Sequence, residues 1–319
     1  MSAQQATPRA LMDYLRLAAD YLGRCGSPSA RLDAEVLLGH VLGMDRVALY
    51  VNHDQPLEPA EVDAYRAALR ARCQGTPVAY ITGKKEFLGM TLAVNRHVLI
   101  PRPETELLVE AVVRRLADAA GKAGPGAPLL IADVGTGSGA IALGIARALP
   151  HARLLAVDVS PGALAVAREN AAAHGLQDRV VLLEGDLLAP VAQELTQGAP
   201  AAGGRGLDAA ARKLDAVVSN PPYIAARNWD QLPREVREFE PRLALDGGPD
   251  GLAFYRRLIP QAAALLKAGG LLAVEIGHDQ AAPVQALLAA AGGWDGVQVL
   301  RDYAGHPRVV LATRQGEEG

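Results

Sequence analysis

The sequence has little of what a disulfide framework or a metal centre requires. Its 319 residues include only two cysteines, Cys25 and Cys73, which are far apart and form no CxxC pair. The seven histidines show no spacing typical of metal ligands. We therefore expect no disulfide framework, no zinc site and no other metal, and we expect the chain to suit a reducing compartment.

Long hydrophobic runs and an excess of positive charge are also missing. No uninterrupted apolar segment approaches membrane-spanning length, and residues 1–10 are polar, without the apolar core of a signal peptide. We expect a cytoplasmic protein that does not enter a membrane. The formal net charge is -3, so no global basic field attracts nucleic acid, and we expect no direct nucleic-acid partner. The length predicts one large domain and a smaller one.

Helical periodicity dominates the first part of the chain. Apolar residues at helical spacing predict helices over about 8–24, from Ser29 to Gly43, and over about 59–73. These helices form a small bundle, which we assign to residues 1–83. Because an enzyme that acts on a small molecule alone rarely needs such an appendage, we interpret the bundle as a domain that recognises a macromolecular substrate.

Turn residues and a hairpin pattern follow the bundle. Residues 75–83 contain the turn-forming residues Gly, Thr and Pro, which predict a linker. Residues 86–94 alternate loosely and predict a β-hairpin that turns near Gly89. We assign residues 84–101 to a linking β-hairpin.

Beyond residue 128, strands alternate with helices, which predicts a parallel α/β sheet. The predicted strands cover 129–133, 153–157, 180–183, 215–219, 271–276, 297–300 and 308–312. The gap between the last two strands is too short for a crossover helix, so these two strands should be antiparallel. This arrangement differs from a plain dinucleotide-binding fold.

A glycine-rich loop follows the first strand of this sheet. The loop consists of Gly135, Thr136, Gly137, Ser138 and Gly139. Its alternate glycines allow the backbone to approach a ligand at a helix N-terminus. With the following alanine the loop also satisfies the looser GxGxxA pattern, so a nicotinamide enzyme must be considered. Nothing later in the chain offers a Tyr-x-x-x-Lys pair for hydride transfer.

Three carboxylates occur at or near the ends of predicted strands. Asp158, about 20 residues beyond the glycines, could accept hydrogen bonds from both hydroxyls of a ribose. Asp133, two residues before the first glycine, could meet an ammonium group, and Asp186 would face the same crevice. These acids suit a ligand with an amino-acid end and a nucleoside, and S-adenosylmethionine has both.

The fourth strand ends abruptly at Asn220, Pro221, Pro222 and Tyr223. The prolines fix φ and lack N–H donors, so this stretch presents carbonyl acceptors. Two acceptors, the side chain of Asn220 and the carbonyl of Pro221, would take both hydrogens of a planar NH2 group, and the ring of Tyr223 would stack on it. No strong base would then be needed. The alternative is an ordinary turn, because Asn-Pro dipeptides mark loops.

Two further segments carry open interpretations. A helix should start within Pro-Arg-Pro-Glu-Thr-Glu at residues 101–106, where Arg102 and Glu104 either shape a stiff helix entrance or line a substrate channel. Residues 194–213 are rich in Gly, Ala and Pro without an apolar period, so we interpret them as a mobile surface insertion.

Together these motifs resemble class I S-adenosylmethionine-dependent amino-methyltransferases. The Pro-Arg-Pro-Glu-Thr run, Phe-Glu-Pro at 239–241, Glu-Ile-Gly at 275–277 and the N-terminal bundle are similar to the HemK/PrmC family of peptide chain release factor glutamine methyltransferases. The resemblance covers roughly residues 10–312. It implies a Rossmann-like, seven-stranded methyltransferase domain over 102–319 with an antiparallel last strand.

The resemblance also implies the reaction and the roles of individual residues. The substrate would be the side-chain amide nitrogen (N5) of the glutamine in the Gly-Gly-Gln motif of class 1 release factors, and we expect a monomer. Residues 135–139 would hold the methionine part, Asp158 the ribose, Asp186 and Leu187 the adenine, Asn220 both cofactor and substrate, and Pro221, Pro222 and Tyr223 the amide. Some relatives carry Trp in place of Leu187, so an apolar wall would replace a stacking ring here.

Other functions stay open at this point. The same acceptors could serve a ribosomal-protein glutamine or adenine N6 in nucleic acid, although no Arg/Lys-rich stripe supports the latter. The chain could also be a nicotinamide oxidoreductase or a protein that binds a nucleoside without chemistry. Thermal stabilisation by S-adenosylhomocysteine but not by NAD(P) would separate these classes.

Overall fold

The computed structural model describes residues 10–123, 127–197 and 213–316. The chain divides into two compact units. The smaller comprises the residues up to Lys84 together with Pro233–Phe239, and the larger comprises Lys85–Leu232 and the chain from Glu240 onward. The hairpin that we assigned to a separate linker therefore falls almost entirely in the larger unit.

The smaller unit is a helical bundle. Its helices are α1 (Leu11–Arg24), α2 (Ala30–Leu42), α3 (Arg46–Val51), α4 (Pro59–Cys73) and α5 (Val78–Thr82). A core of buried leucines, with Tyr65 among them, joins the longer helices. The periodicity predicted α1, α2 and α4. It missed α5, because the turn residues that suggested a linker are the ends of this helix: Pro77 precedes it and Gly83 caps it with φ 70°.

Cys25 and Cys73 form a disulfide bond in this unit, so the expectation drawn from their spacing was wrong. Cys25 is the C-cap of α1, and Cys73 is the last residue of α4. Their Cα atoms are 5.4 Å apart although 48 residues separate them in sequence. Distance along the chain cannot show that two helix ends meet, and only the packing of the bundle brings these sulfur atoms together.

The remaining elements belong almost entirely to the larger unit. Its strands are β1 (Lys84–Phe87), β2 (Met90–Ala93), β3 (Leu129–Val134), β4 (Ala152–Asp158), β5 (Val180–Glu184), β6 (Leu214–Ser219), β7 (Leu266–Glu275), β8 (Trp294–Arg301) and β9 (Pro307–Arg314). Its helices are α6 (Pro103–Ala123), α7 (Ala140–Ala148), α8 (Pro161–Ala173), α9 (Ala189–Gln197), α11 (Ala253–Leu265) and α12 (Ala281–Ala291), whereas α10 (Arg234–Phe239) lies in the smaller unit. Strands β1 and β2 pair as the predicted hairpin.

The main sheet has seven strands in the order β5-β4-β3-β6-β7-β9-β8. Strands β3 to β7 run parallel, while β9 is antiparallel to both of its neighbours. The predicted α/β class, the seven strands and the antiparallel last strand are confirmed. Because β3 to β7 are parallel, their carboxyl ends meet at one edge of the sheet, which is where such folds bind ligands.

Apolar side chains cover both faces of the sheet. Successive residues of a strand point to opposite faces, so Ile131 joins the core shared with α6 and α7, whereas Ala132 joins the core shared with α9, α11 and α12. This double burial explains why the central strands are continuously hydrophobic. The cores hold the strand ends rigidly in place.

The predicted surface insertion begins later than the composition suggests. Glu194–Gln197 form the last turn of α9, and Leu195 is buried in the core beside this helix. The assignment of residues 194–197 to the insertion was therefore wrong. Residues 198–212 of this segment lie outside the described residues.

Candidate active site

A cleft opens at the carboxyl ends of β3, β4, β5 and β6. It encloses about 1080 Å³ of free space, including its open mouth. The site residues predicted from sequence that line it are Arg102, Gly135, Thr136, Gly137, Ser138, Asp158, Asp186, Leu187, Asn220, Pro221 and Pro222. Asp133, Gly139, Glu104 and Tyr223 are not among the described lining residues. The structure thus brings most of the predicted residues, from four separate strand ends, to one cleft.

The glycine-rich loop owes its path to backbone conformations that side chains disfavour. Gly135 and Gly137 have φ values of 73° and 56°, and a Cβ atom added to Gly137 would meet nothing within 4 Å. The need for glycine at 137 is therefore conformational rather than steric. The N–H groups of Gly135 and Thr136 both donate to the carbonyl of Val157, which joins the loop to the end of β4.

Asp158 connects this loop to the adjacent strand end. Its Oδ2 accepts a hydrogen bond from the N–H of Gly137, and its Oδ1 accepts one from the N–H of Ser160, each at 2.9 Å. A carboxylate offers about four lone-pair positions, so two remain for a ligand. Two neighbouring acceptors of this kind match the two hydroxyls of a ribose.

Asp133 has a different environment from the one expected. Its side chain is fully buried, and Oδ2 accepts hydrogen bonds from the Thr136 hydroxyl at 2.6 Å and from the N–H of Ala142 at 3.1 Å. Its Oδ1 has no partner among the described residues, and burial raises the pKa of this carboxyl to about 7. These contacts join the glycine loop to α7. The predicted contact with an ammonium group stays a prediction, because Asp133 does not line the cleft.

The end of β5 supplies one polar and one apolar side chain. Asp186 is half exposed and forms an ion pair with Arg257 of α11. Leu187 is buried and has a φ of 50°, in the left-handed region that residues with side chains seldom adopt. Leu187 lines the cleft, and its contact with an adenine stays a prediction.

Asn220 joins a buried hydrogen-bonded chain. Its Nδ2 donates to Oγ1 of Thr105 at 3.2 Å, and the Thr105 hydroxyl donates to Oε2 of Glu275 at 2.6 Å. Thr105 and Glu275 are almost completely buried. Burial raises the pKa of the Glu275 carboxyl to about 7, although the hydrogen bond from Thr105 and the charge of Arg308 oppose this shift.

Tyr223 turns away from the position expected of a stacking ring. Its hydroxyl donates to Oε1 of Glu275 at 3.3 Å, and its backbone carbonyl accepts a hydrogen bond from Gln280 at 2.9 Å. Its ring packs on the core that includes α11 and α12. Tyr223 thus supports the loop from behind, and its stacking on a substrate amide stays a prediction that this orientation does not favour.

Arg102 lies at both the cleft and the helix entrance, so its role in a substrate channel stays a prediction beside its structural role. Arg102 lines the cleft and pairs with the buried Glu240, with its Nη2 2.5 Å from Oε1. The same carboxylate accepts a hydrogen bond from the N–H of Ile100, which holds the entrance of α6. Glu104, the second residue of α6, does not line the described cleft.

Sequence reasoning missed several cleft residues. These are His97, Leu99, Thr105, Pro241, Leu243 and Phe254. Leu243 is notable because 56% of it is exposed although it is a large apolar residue at the cleft wall. Thr105 lies within the Pro-Arg-Pro-Glu-Thr-Glu run, but the sequence indicates no role for it, because a threonine in the first turn of a helix is typical of local structure.

Two negative observations hold for residues 10–123, 127–197 and 213–316. No group of three or more potential metal-ligating side chains comes together there. Within the same part of the chain, every helix is too short or too polar to cross a membrane.

Comparison with known proteins places the chain in a family. Residues 13–83 match the PrmC N-terminal domain, and residues 131–198 match a methyltransferase domain. The chain is 43% identical over 278 residues to the release factor glutamine methyltransferase of Geobacter sulfurreducens, covering 87% of each. It is 47% identical over 287 residues to that of Moorella thermoacetica, covering 90% of this chain and 89% of the relative. The chain belongs to the release factor glutamine methyltransferase family.

A solved structure shares the fold of this methyltransferase. The catalytic domain of hMettl16, in complex with MAT2A 3'UTR hairpin 6, aligns with a TM-score of 0.52 and 16% identity over 78% of this chain and 82% of that chain. At this identity the likeness concerns the fold alone. The predicted methyltransferase fold is confirmed by this likeness together with the matched methyltransferase domain, and the family resemblance is confirmed by the two bacterial relatives.

Proposed function

We propose that this protein methylates the side-chain amide nitrogen of the glutamine in the Gly-Gly-Gln motif of class 1 peptide chain release factors, with S-adenosylmethionine as the methyl donor. The observation that carries the proposal is the placement of Asn220, Pro221 and Pro222 at the cleft. The Nδ2 of Asn220 is engaged by Thr105, and the prolines have no N–H to donate. Acceptors therefore predominate at this end of the cleft, as the recognition of an NH2 group requires.

The residues at the cleft fit S-adenosylmethionine. Asp158 would hold the ribose, the backbone of the glycine loop would lie along the methionine part, and Leu187 would provide an apolar wall for the adenine. When bound, this cofactor supplies a methyl group activated by a positively charged sulfur. Asp186 is the less favoured contact, since Arg257 already engages its carboxylate.

The protein's contribution to the reaction is orientation. Hydrogen bonds from the two N–H groups of the substrate amide to Oδ1 of Asn220 and to the carbonyl of Pro221 would fix the nitrogen at the cleft. Fixing the reacting groups in a productive geometry can lower a barrier by about 7–11 kcal/mol in ideal cases. An amide nitrogen is a poor nucleophile, so this reaction depends heavily on such positioning.

The remaining parts of the proposal concern the partner and the cell. The helical bundle, whose residues 13–83 match the PrmC N-terminal domain, would bind the release factor. We propose that the enzyme acts as a monomer in the cytoplasm, where release factors work. We would then expect the disulfide between Cys25 and Cys73 to be reduced in a fraction of the molecules, because glutathione keeps cytosolic thiols reduced.

A direct test is methyl transfer to a purified class 1 release factor. Incubation with isotopically labelled S-adenosylmethionine, followed by peptide mass mapping, should find one modified glutamine, in the Gly-Gly-Gln motif. A release factor with alanine in place of that glutamine is the matched control and should stay unlabelled. Label on another residue, or on ribosomal protein or nucleic acid in preference to the release factor, would contradict the proposal.

A further inference from the structure

We propose that Thr105 and Glu275 are positioning residues that determine which end of the Asn220 carboxamide faces the substrate. The inference rests on the proposed function, because it concerns the same amide-binding end of the cleft. It adds two residues that hold the acceptor in its correct orientation.

The three residues come from distant parts of the sequence. Thr105 lies in the first turn of α6, Asn220 directly follows β6, and Glu275 ends β7. The hydrogen bond from Asn220 to Thr105 spans 115 positions of the chain, and the bond from Thr105 to Glu275 spans 170. Contacts of this sequence separation exist only because the sheet and α6 assemble around them.

The direction of each hydrogen bond follows from the chemistry of the groups. An ionised Glu275 can only accept, so the hydroxyls of Thr105 and Tyr223 both donate to it. Thr105 has a single hydroxyl hydrogen, which this bond uses. The oxygen of Thr105 then presents only lone pairs to Asn220, so the NH2 end of Asn220 must face it.

The opposite orientation of Asn220 is excluded by the same argument. With the carboxamide turned over, Oδ1 would lie against Oγ1 of Thr105 with no hydrogen between the two oxygens. A buried polar group without a hydrogen-bond partner destabilises the conformation that contains it. The carboxamide of asparagine is nearly symmetric in shape, so packing alone would not discriminate between the two orientations.

The orientation matters because it decides the chemistry offered to the substrate. With Nδ2 engaged by Thr105, Oδ1 remains as the acceptor for an N–H of the incoming amide. A reversed Asn220 would present its own NH2 group to the NH2 group of the substrate, and no hydrogen bond could form. The chain from Glu275 through Thr105 thus keeps an acceptor in the cleft before the substrate arrives.

Protonation of Glu275 would weaken this control. A neutral Glu275 can donate to Thr105, which frees the Thr105 hydrogen and permits the reversed Asn220. The groups that face this carboxyl are the hydroxyl of Tyr223, the positive Arg308 and the negative Glu104, while the Tyr255 hydroxyl donates to the backbone carbonyl of Glu275. The turnover number should therefore fall as the pH decreases through about 7, the pKa of Glu275.

The first test compares two substitutions at one position. Thr105→Val keeps the shape of the side chain but removes the hydroxyl, and it should lower kcat about 10- to 100-fold at saturating substrates, with the dissociation constant of S-adenosylhomocysteine changed less than twofold. Thr105→Ser restores the hydroxyl and should stay within about threefold of the wild-type kcat. A valine variant with wild-type kcat, or a serine variant as slow as valine, would overturn the proposal.

A matched control removes a buried hydrogen bond without touching the carboxylate. Tyr255→Phe deletes the hydroxyl that donates to the backbone carbonyl of Glu275 at 2.7 Å. It should lower the unfolding temperature by an amount similar to Thr105→Val and leave kcat near the wild-type value. If it lowers kcat as much as Thr105→Val, the effect is general destabilisation and the proposal fails.

The second test needs no catalysis. In 1H–15N NMR spectra of the enzyme without ligands, the side-chain NH2 signals of Asn220, assigned by their loss in Asn220→Asp, should shift in Thr105→Val and return in Thr105→Ser. Unchanged signals in Thr105→Val would contradict the proposal. If the NMR result is as expected but no release factor is methylated, the proposed function fails while the orientation of Asn220 stands.

Discussion

The two ends of the cleft are built by different means. The end that would hold the cofactor consists of backbone N–H groups and glycine conformations around residues 135–139, with Asp158 as its main side chain. The end that would hold the substrate amide consists of side chains and prolines: Asn220, Pro221 and Pro222, supported by Thr105 and Glu275. The first depends on local backbone geometry, and the second depends on hydrogen bonds between distant parts of the chain.

This difference predicts how each end responds to substitution. Changes at the cofactor end should alter the affinity for S-adenosylmethionine, because they disturb a binding surface. Changes at the amide end should alter kcat with little effect on cofactor affinity, because they disturb the orientation of the reacting group. Measuring both quantities for each variant tests the distinction.

The largest effect is expected at the amide end itself. Asn220→Ala removes the side-chain acceptor and should lower kcat by about 1000-fold, comparable to the loss of a preorganised hydrogen-bonding group in other active sites. Circular dichroism should show an intact fold. Methylation of a release factor by this variant at nearly the wild-type rate would show that the acceptor is not required.

One buried carboxyl supports each end of the cleft: Asp133 behind the glycine loop and Glu275 behind Thr105. The pH dependence of the free energy of unfolding should reveal the titration of both. Burial raises the pKa values of Asp133 and Glu275 to about 7, above their values in the unfolded chain. The folded state therefore binds these protons more tightly, and the free energy of unfolding should decrease as the pH rises from about 4 to about 7, by roughly 4 kcal/mol for each group at most. Denaturant titrations across this range measure the slope.

Single substitutions divide this pH dependence between the two ends. Asp133→Asn should remove the part due to the cofactor end, and Glu275→Gln should remove the part due to the amide end. A wild-type slope in either variant would mean that the corresponding carboxyl does not titrate in this range.

A smaller effect is expected from Asp158. Asp158→Ala removes the two acceptors proposed for the ribose and the bond to the N–H of Gly137. The dissociation constant of S-adenosylhomocysteine, measured by calorimetry, should rise about 10- to 100-fold, or about 1.4–2.7 kcal/mol. A fall of kcat at saturating cofactor by a similar factor would contradict the distinction between the cofactor end and the amide end.

The smallest effect should come from the backbone of the glycine loop. Gly137→Ala meets no steric obstacle, but φ at 56° costs an alanine about 1–2 kcal/mol. Part of this cost should appear as a cofactor affinity a few-fold weaker. Gly23→Ala, within helix α1 and free of close contacts, is the control and should raise the unfolding temperature slightly. If both substitutions changed the cofactor affinity equally, residue 137 would have no special role in cofactor binding.

The same difference explains what could be predicted from the sequence. The glycine loop, Asp158 and Asn220 directly follow or end apolar strands, so a local pattern reveals them and the parallel sheet brings them together. The order of strands and helices also follows from alternating periodicities. These features are encoded within short windows of sequence.

Other features depend on the assembled fold and left no local signal. Thr105 and Glu275 are 170 positions apart, and no sequence pattern in either segment indicates that they share a hydrogen bond. The pairing of Cys25 with Cys73 has the same origin. The orientation of Tyr223 depends on its contacts with Gln280 and Glu275, which no pattern near residue 223 indicates, so its stacking on a substrate amide stays a prediction.

The start of α6 sets a limit on how the chain length can vary. Pro103 is the first residue of this helix, and Thr105 follows two positions later. Each residue of an α-helix turns the side-chain direction by about 100°. A single residue inserted between Pro103 and Thr105 would thus rotate the hydroxyl away from Glu275, whatever its identity. In this segment, substitutions should therefore be tolerated more readily than insertions or deletions of residues.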